Sequence, residues 1–227
     1  MTPEQLTGRE TGHIVDAGQP GCQVHAGSRA VLLAMCQAAR GAGFDPFAVS
    51  SFRSFDRQLT IWNDKFSGLR PVLDASGQPL DVLALDEDAR VRAILLWSAL
   101  PGASRHHWGT DVDLIDRNSV PPGYRVQLTA AEFDRGGPFE AFHEWLVRHA
   151  PEYGFFKPYR GVLSGVAAEP WHWSHAAVAE PARQQLTPDL LLQVLRDAPI
   201  LGRQTLVQRA GELHARYVRD IDLPHLA

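Results

Sequence analysis

The run SRHHWGTDVDL, Ser104 to Leu114, constrains the fold more than any other stretch, because it sets two imidazoles and two carboxylates around one strand entry. In GTDVDLI the alternation puts Asp111 and Asp113 on one face of a strand and Val112 and Leu114 on the other. Such a strand needs an apolar layer behind it and can carry a polar site in front. Gly109 permits a tight turn just before the strand, so that His106 or His107 can fold back beside Asp113.

A second cluster, EPWHW, places His172 three residues after Glu169, with Pro170 forcing an extended entry. A catalytic zinc takes three ligands of His or carboxylate type and keeps its fourth position for water. One His and one Asp from the first cluster leave a ligand missing, and His172 supplies it; Glu169 can then act on water without being a ligand. Taken singly, these residues have blander readings. A lone His in an aromatic strand is more often a hydrogen-bonded core residue, and Asp111 and Asp113 could form a solvated edge. Two such clusters at junctions, with Arg53 at a third, favour a site. FHEWLVRH, by contrast, is not a zinc-protease helix: Val147 stands where HExxH needs its second His, so His143 and His149 read as packing or surface residues.

The remainder of the chain supplies the supporting layer. SRAVLLAMCQAARGAGF reads as a helix capped by Ser28 and stopped at Gly41 or Gly43. FAVSSFRS reads as a strand running into FDRQLTIWNDKF, a helix with Phe55, Leu59, Trp62 and Phe66 at helical spacing, which leaves Arg53 at the junction. DEDARVRAILLWSAL is a third helix. Thr129 and Glu132 fit a capping box, and PFEAFHEWLVRHA is a helix with Pro138 at its first position. YGFFKPY and EPWHWSH read as strands, with Trp171 and Trp173 opposite His172 in the core. TPDLLLQVLRDA and RQTLVQRAGELHARYVRDI are helical.

At 227 residues, 44% of them hydrophobic, the chain can bury one full core. A formal charge of -4 with scattered Lys and Arg gives no basic stripe for a phosphate backbone, which argues against nucleic acid as a partner. No segment approaches the roughly 20 apolar residues of a membrane span, and MTPEQLTGRE lacks the pattern of a secretory signal. As written, the chain reads as cytoplasmic, with a periplasmic location open if a leader is missing. Cys22 and Cys36 form no CxxC pair and read as free thiols.

Ser104, His106, Gly109 and Asp113 spell SxHxxGxxxD, and Glu169, Trp171 and His172 spell ExWH. The pair resembles the VanY-type zinc D-alanyl-D-alanine carboxypeptidases and dipeptidases of the M15 peptidase superfamily, relatives of the hedgehog fold. The motif's register selects His106, since starting from His107 would put Leu114 at the carboxylate position. SSFRSFDRQ is similar to the family's upstream SGYRS segment, with Arg53 and Gln58 at the family's spacing, and the resemblance runs from about Val24 to His175.

The resemblance implies an α+β fold: a small antiparallel sheet carrying the metal site, flanked by helices, as a carboxypeptidase-like domain over 24–180 with a C-terminal helical extension over 187–227 packed on it. It implies Zn2+ held by His106, Asp113 and His172, with Glu169 as general base. Arg53 would take the terminal carboxylate of a peptidoglycan stem peptide or muropeptide ending in D-Ala-D-Ala, with Gln58 and Ser104 as further hydrogen-bond partners of substrate. Asp111 departs from the pattern, standing where the family has a small apolar residue and adding negative charge near the metal. The rival readings are a peptidoglycan endopeptidase, a D-Ala-D-Ala dipeptidase, and a zinc-bound binding module without catalysis; the intact Glu169 counts against the last.

Overall fold

A computed structural model of the chain describes residues 1–161 and 165–224. The fold is α+β, built on a four-stranded antiparallel sheet in the order Pro46–Ser50, Asp111–Asp116, His172–His175, Phe155–Phe156. All six residues of Asp111–Asp116 are buried, because both faces of this central strand are covered. The alternation read from the sequence separates the two faces. Val112, Leu114 and Trp173 pack with Leu32 and Met35 of the helix Ala26–Gly41 and with Phe142 and Leu146 of the helix Glu140–His149. Each such side chain, once removed from water, stabilises the fold by roughly 1.5–3 kcal/mol. The opposite face carries Asp111, Asp113, His172 and Ser174, so the site's polar groups lie on a sheet anchored from behind.

A second apolar cluster lies beyond the site. Trp62 of the helix Phe55–Phe66, Ile94 and Leu95 of Glu87–Leu95, Leu191 and Leu195 of Pro188–Asp197, Leu206 of Arg203–Gln208 and Leu213 of Ala210–His214 share it. Three hydrogen bonds tie the segment after residue 187 to the Phe55–Phe66 helix: Trp62 Nε1 donates to the Leu201 carbonyl at 3.0 Å, Asn63 Nδ2 donates to that of Pro199 at 3.1 Å, and Asn63 Oδ1 accepts from the Leu201 amide at 2.9 Å. Of the stretch 187–227, residues 225–227 lie outside the described residues.

Several local readings are corrected. The first long helix begins at Ala26, capped by His25, whose Nδ1 accepts from the Gly27 amide at 2.9 Å; Ser28 sits inside the first turn, its hydroxyl 2.9 Å from His175 Nδ1. The Thr129–Glu132 box caps a 3-10 turn, Ala130–Glu132, and the next helix starts at Glu140, so Pro138 precedes it rather than opening it. The last helical stretch breaks at Arg209 into separate pieces. Both cysteines are free, and among the described residues no helix is long and apolar enough to cross a membrane.

The turn into the central strand depends on Gly109, which has φ +67°. A Cβ there would stand 2.6 Å from the His25 backbone nitrogen and 2.5 Å from Ile14 Cδ1. Left-handed backbone adds about 1–2 kcal/mol for any other residue. Gly109→Ala is therefore expected to destabilise the protein by about 2 kcal/mol or more, lowering Tm in a calorimetric melt by roughly 4–8 °C. An unchanged Tm would show that the turn is not held as described.

Candidate metal centre and active site

Strand register builds the site. Asp113 lies directly across from His172 on one neighbouring strand and from Ser50 on the other, so all three side chains leave the sheet on one face. Asp111 is paired in the same way with Ser174. His106 reaches this face from the 3-10 turn Arg105–Trp108, which ends at Gly109. The turn sits low enough for His106 Nε2 to come 3.4 Å from Asp113 Oδ2, while its ring meets that of His172 edge-on.

Hydrogen bonding fixes which nitrogen of each ring is free. His106 Nδ1 lies 2.8 Å from the Ser51 carbonyl, which can only accept, so the proton is on Nδ1 and the Nε2 lone pair faces Asp113. His172 Nε2 lies 2.8 Å from Asp111 Oδ1 and donates to it. Its Nδ1 then faces Asp113 Oδ1 at 3.2 Å and Glu169 Oε2 at 3.3 Å. Asp113 Oδ1 is buried and makes no hydrogen bond.

Acceptors thus converge on acceptors around a space bounded by His106, Asp113 and His172, whose ligand atoms all lie within 4.8 Å of one another. A buried carboxylate facing lone pairs is unstable unless a cation sits between them. Two imidazoles and one carboxylate are the ligand chemistry of a divalent transition metal such as zinc. These residues fit that group.

The electrostatics follow from the same crowding. Burial pushes the His106 pKa down to about 4 despite Asp113 nearby, keeping it neutral as a ligand must be. Burial also opposes charge on His172, but its contacts with Asp111, Asp113 and Glu169 outweigh this and hold its pKa well above the ordinary value. Burial raises the Glu169 pKa, with the His172 contact opposing.

Asp111, whose role the sequence left open, is fully buried and accepts four contacts: from His172, from Arg105 Nε at 2.9 Å, from the Ser174 hydroxyl at 3.0 Å and from the Thr110 hydroxyl. It fixes the tautomer and the ring plane of His172, the place a carboxylate takes behind a histidine that binds metal. Arg105 supplies the compensating charge and also donates to Ser174 at 2.6 Å.

His107 is placed apart. Its Nδ1 lies 2.7 Å from the Arg53 carbonyl and its Nε2 accepts from the Gly102 amide at 3.0 Å, which leaves no lone pair for a metal. Arg53 and Ser104 line a cleft of about 440 Å³ that opens onto His106, Asp113, Glu169 and His172. Gln58 is fully buried, and both ends of its amide are engaged: Oε1 accepts from Arg53 Nη1 at 2.8 Å, and Nε2 donates to the Ala99 carbonyl at 2.7 Å. The sequence placed Gln58 against substrate; the structure puts it behind Arg53, where it holds the guanidinium.

Trp171 is buried, as the sequence suggested, but in a different cluster from Trp173: the strand starts only at His172, and Trp171 packs with Ile115, Phe133 and Phe139, stacks on Trp97 and lines the cleft. Tyr159, Tyr217 and Val218 also line the cleft and carried no sequence signal. The Tyr159 ring meets His172 edge-on, and burial raises its pKa to about 12, so it stays a neutral hydroxyl.

The family model of VanY, D-alanyl-D-alanine carboxypeptidase, matches residues 22–178. An uncharacterised protein of Haemophilus influenzae is 36% identical over 121 residues, which covers 52% of this chain and 92% of that one. Among solved structures, VanYB in complex with D-alanine-D-alanine aligns with a TM-score of 0.52 at 21% identity, covering 76% of this chain and 81% of its own. A glutamate-to-alanine variant of the vancomycin-resistance D,D-pentapeptidase VanY in complex with Zn(II) aligns with a TM-score of 0.50 at 22% identity, covering 78% and 86%. At these identities the structures show a shared fold.

If Asp111 orients His172 for a metal, Asp111→Asn should weaken zinc binding about 10–100-fold in a chelator competition, with far-UV circular dichroism preserved. Unchanged affinity would reduce Asp111 to a packing role.

Proposed function

The chain belongs to the VanY family of D-alanyl-D-alanine carboxypeptidases, and from that premise we propose that it is a zinc peptidase that hydrolyses the terminal D-Ala-D-Ala bond of peptidoglycan stem peptides. The observation that carries this reading is one cleft holding two imidazoles and a carboxylate in metal-binding range, a largely buried acid 3.3 Å from one of them, and an arginine with no carboxylate ion pair among the described residues.

His106, Asp113 and His172 would hold the metal, which when bound acidifies a water and polarises the scissile carbonyl. Glu169 is the general base. Its raised pKa suits a group that takes a proton from the attacking water and then delivers it to the departing amine. Water adds to the carbonyl carbon, the C–N bond breaks, and the products are a shortened peptide acid and free D-alanine.

Arg53 orients the substrate. Its Nη1 donates to Gln58 and its Nη2 donates to Ser50 Oγ at 2.9 Å; these neutral partners fix the planar fork without cancelling its charge. A guanidinium so held is matched to the terminal carboxylate of a peptide.

The test is mass spectrometry of a muropeptide ending in D-Ala-D-Ala after incubation with the zinc-loaded protein. Loss of a single D-alanine is expected, with turnover falling about 10²–10⁴-fold in Glu169→Ala. A Glu169→Ala protein as active as the parent would refute the assigned base. Arg53→Ala should raise KM for the free acid far more than for the C-terminal amide; equal loss on both would make Arg53 structural.

A further inference from the structure

The cleft wall carries more positive charge than one terminal carboxylate requires. Besides Arg53, it is lined by Lys65 and Arg70, and by Arg105, which is paired with Asp111; of the two carboxylates lining it, Asp113 belongs to the metal cluster and Glu169 stands against His172. Lys65 Nζ donates to the Ser98 hydroxyl at 2.6 Å, a neutral partner. The Arg70 backbone amide donates to the Asp64 carbonyl, and its guanidinium has no ion-pair partner among the described residues. Arg53, Lys65 and Arg70 form no ion pair among the described residues, although carboxylates elsewhere on the surface pair readily, as Arg117 does with Asp45.

Like charges along one concave wall repel, and they are stabilised when an anion enters between them. Burial, followed by repulsion from Arg70, lowers the Lys65 pKa to about 8, with Glu169 opposing.

Lys65 and Arg53 cannot be treated as a single clamp. Arg53 precedes the Phe55–Phe66 helix and is held by Gln58 in its first turn, whereas Lys65 lies in the last turn, roughly two turns or about 10 Å along the axis from Gln58. An extended peptide spans that distance in about three residues. Ser98, which holds the Lys65 ammonium, adjoins Ala99, whose carbonyl holds Gln58, so one segment fixes both positions.

We infer that Lys65 and Arg70 form a second anion subsite in the cleft, which takes a carboxylate of the peptide other than its terminal one. The inference rests on the proposed peptidase function and specifies its substrate class: peptides acidic within their body as well as at their end. The stem peptide offers two sources of such a group, the α-carboxylate of its D-glutamate and the side-chain carboxylate of a diaminopimelate third residue.

The experiment compares kcat/KM of the zinc-loaded full chain on L-Ala-γ-D-Glu-X-D-Ala-D-Ala peptides. X is diaminopimelate or its side-chain amide in one arm; the D-glutamate α-carboxyl is free or amidated in the other. In one arm the acid should be preferred about tenfold or more, chiefly through KM, and that arm identifies the source. In Lys65→Met the acid-to-amide ratio should fall toward one, while Lys65→Arg should restore most of it. Should Lys65→Met fail to fold, Arg70→Met, at an exposed position, should lower the same ratio. A parent protein that cleaves acid and amide equally in both arms, or variants that keep the parent ratio, overturn the subsite and leave the peptidase reading intact. A parent protein that cleaves none of the peptides overturns both.

Discussion

The pairing of Asp113 with His172 across two antiparallel strands is the constraint on which the rest of the structure depends. Register in a sheet is quantised: a slip of one residue would turn both side chains to the apolar face and bring Val112 and Trp173 to the front. The helices behind the sheet prevent this, because Val112, Leu114 and Trp173 are packed among Leu32, Met35, Phe142 and Leu146. Apolar packing on one face therefore fixes ligand geometry on the other. Hydrogen bonds complete the placement, with Ser51 setting the His106 tautomer and Asp111 that of His172. The free lone pairs are left pointing at Asp113, an arrangement that a divalent cation stabilises and an empty space does not.

The order of charges through the site is equally directed. Behind His172 lies Asp111, and behind Asp111 lies Arg105, stacked over the Trp108 ring and hydrogen-bonded to the strands through Nε and Nη2. The negative charge that departs from the family's motif is thus neutralised on its far side, so it orients His172 without making the cleft more acidic. The opposite wall is cationic, from Arg53 to Lys65 and Arg70. In the proposed reading, a peptide with acidic groups would meet positive charge along its length and the metal cluster at its scissile bond.

Much of this was legible in the sequence, for reasons that are themselves local. Period-two alternation around Asp113, the turn glycine before it and the proline before Trp171 are short-range features, and they identify which residues share a strand face. The motif register that chose His106 agrees with the structure's placement of His107, whose two nitrogens are both occupied. What could not be read depends on contacts far apart in the chain. Asp111 acquires its role only when Ser174 and His172 arrive from another strand, and Gln58 turns away from substrate because the Ala99 carbonyl waits behind it. Trp171 packs in a different cluster from Trp173 because the strand begins one residue later than its aromatic pattern suggests. Lys65, Tyr159 and Tyr217 join the cleft from three separate segments, and no spacing connects them.

The central claim is that the convergence of His106, Asp113 and His172 is a site for one divalent transition metal. The most direct measurement is calorimetric titration of the metal-free protein with zinc, followed by X-ray absorption at the zinc edge. The account predicts one zinc per chain, a first shell of two imidazole nitrogens with carboxylate and water oxygens, and loss of binding in His106→Ala. A parent protein that takes up no stoichiometric zinc, or holds it with sulfur or without imidazole ligands, would contradict it.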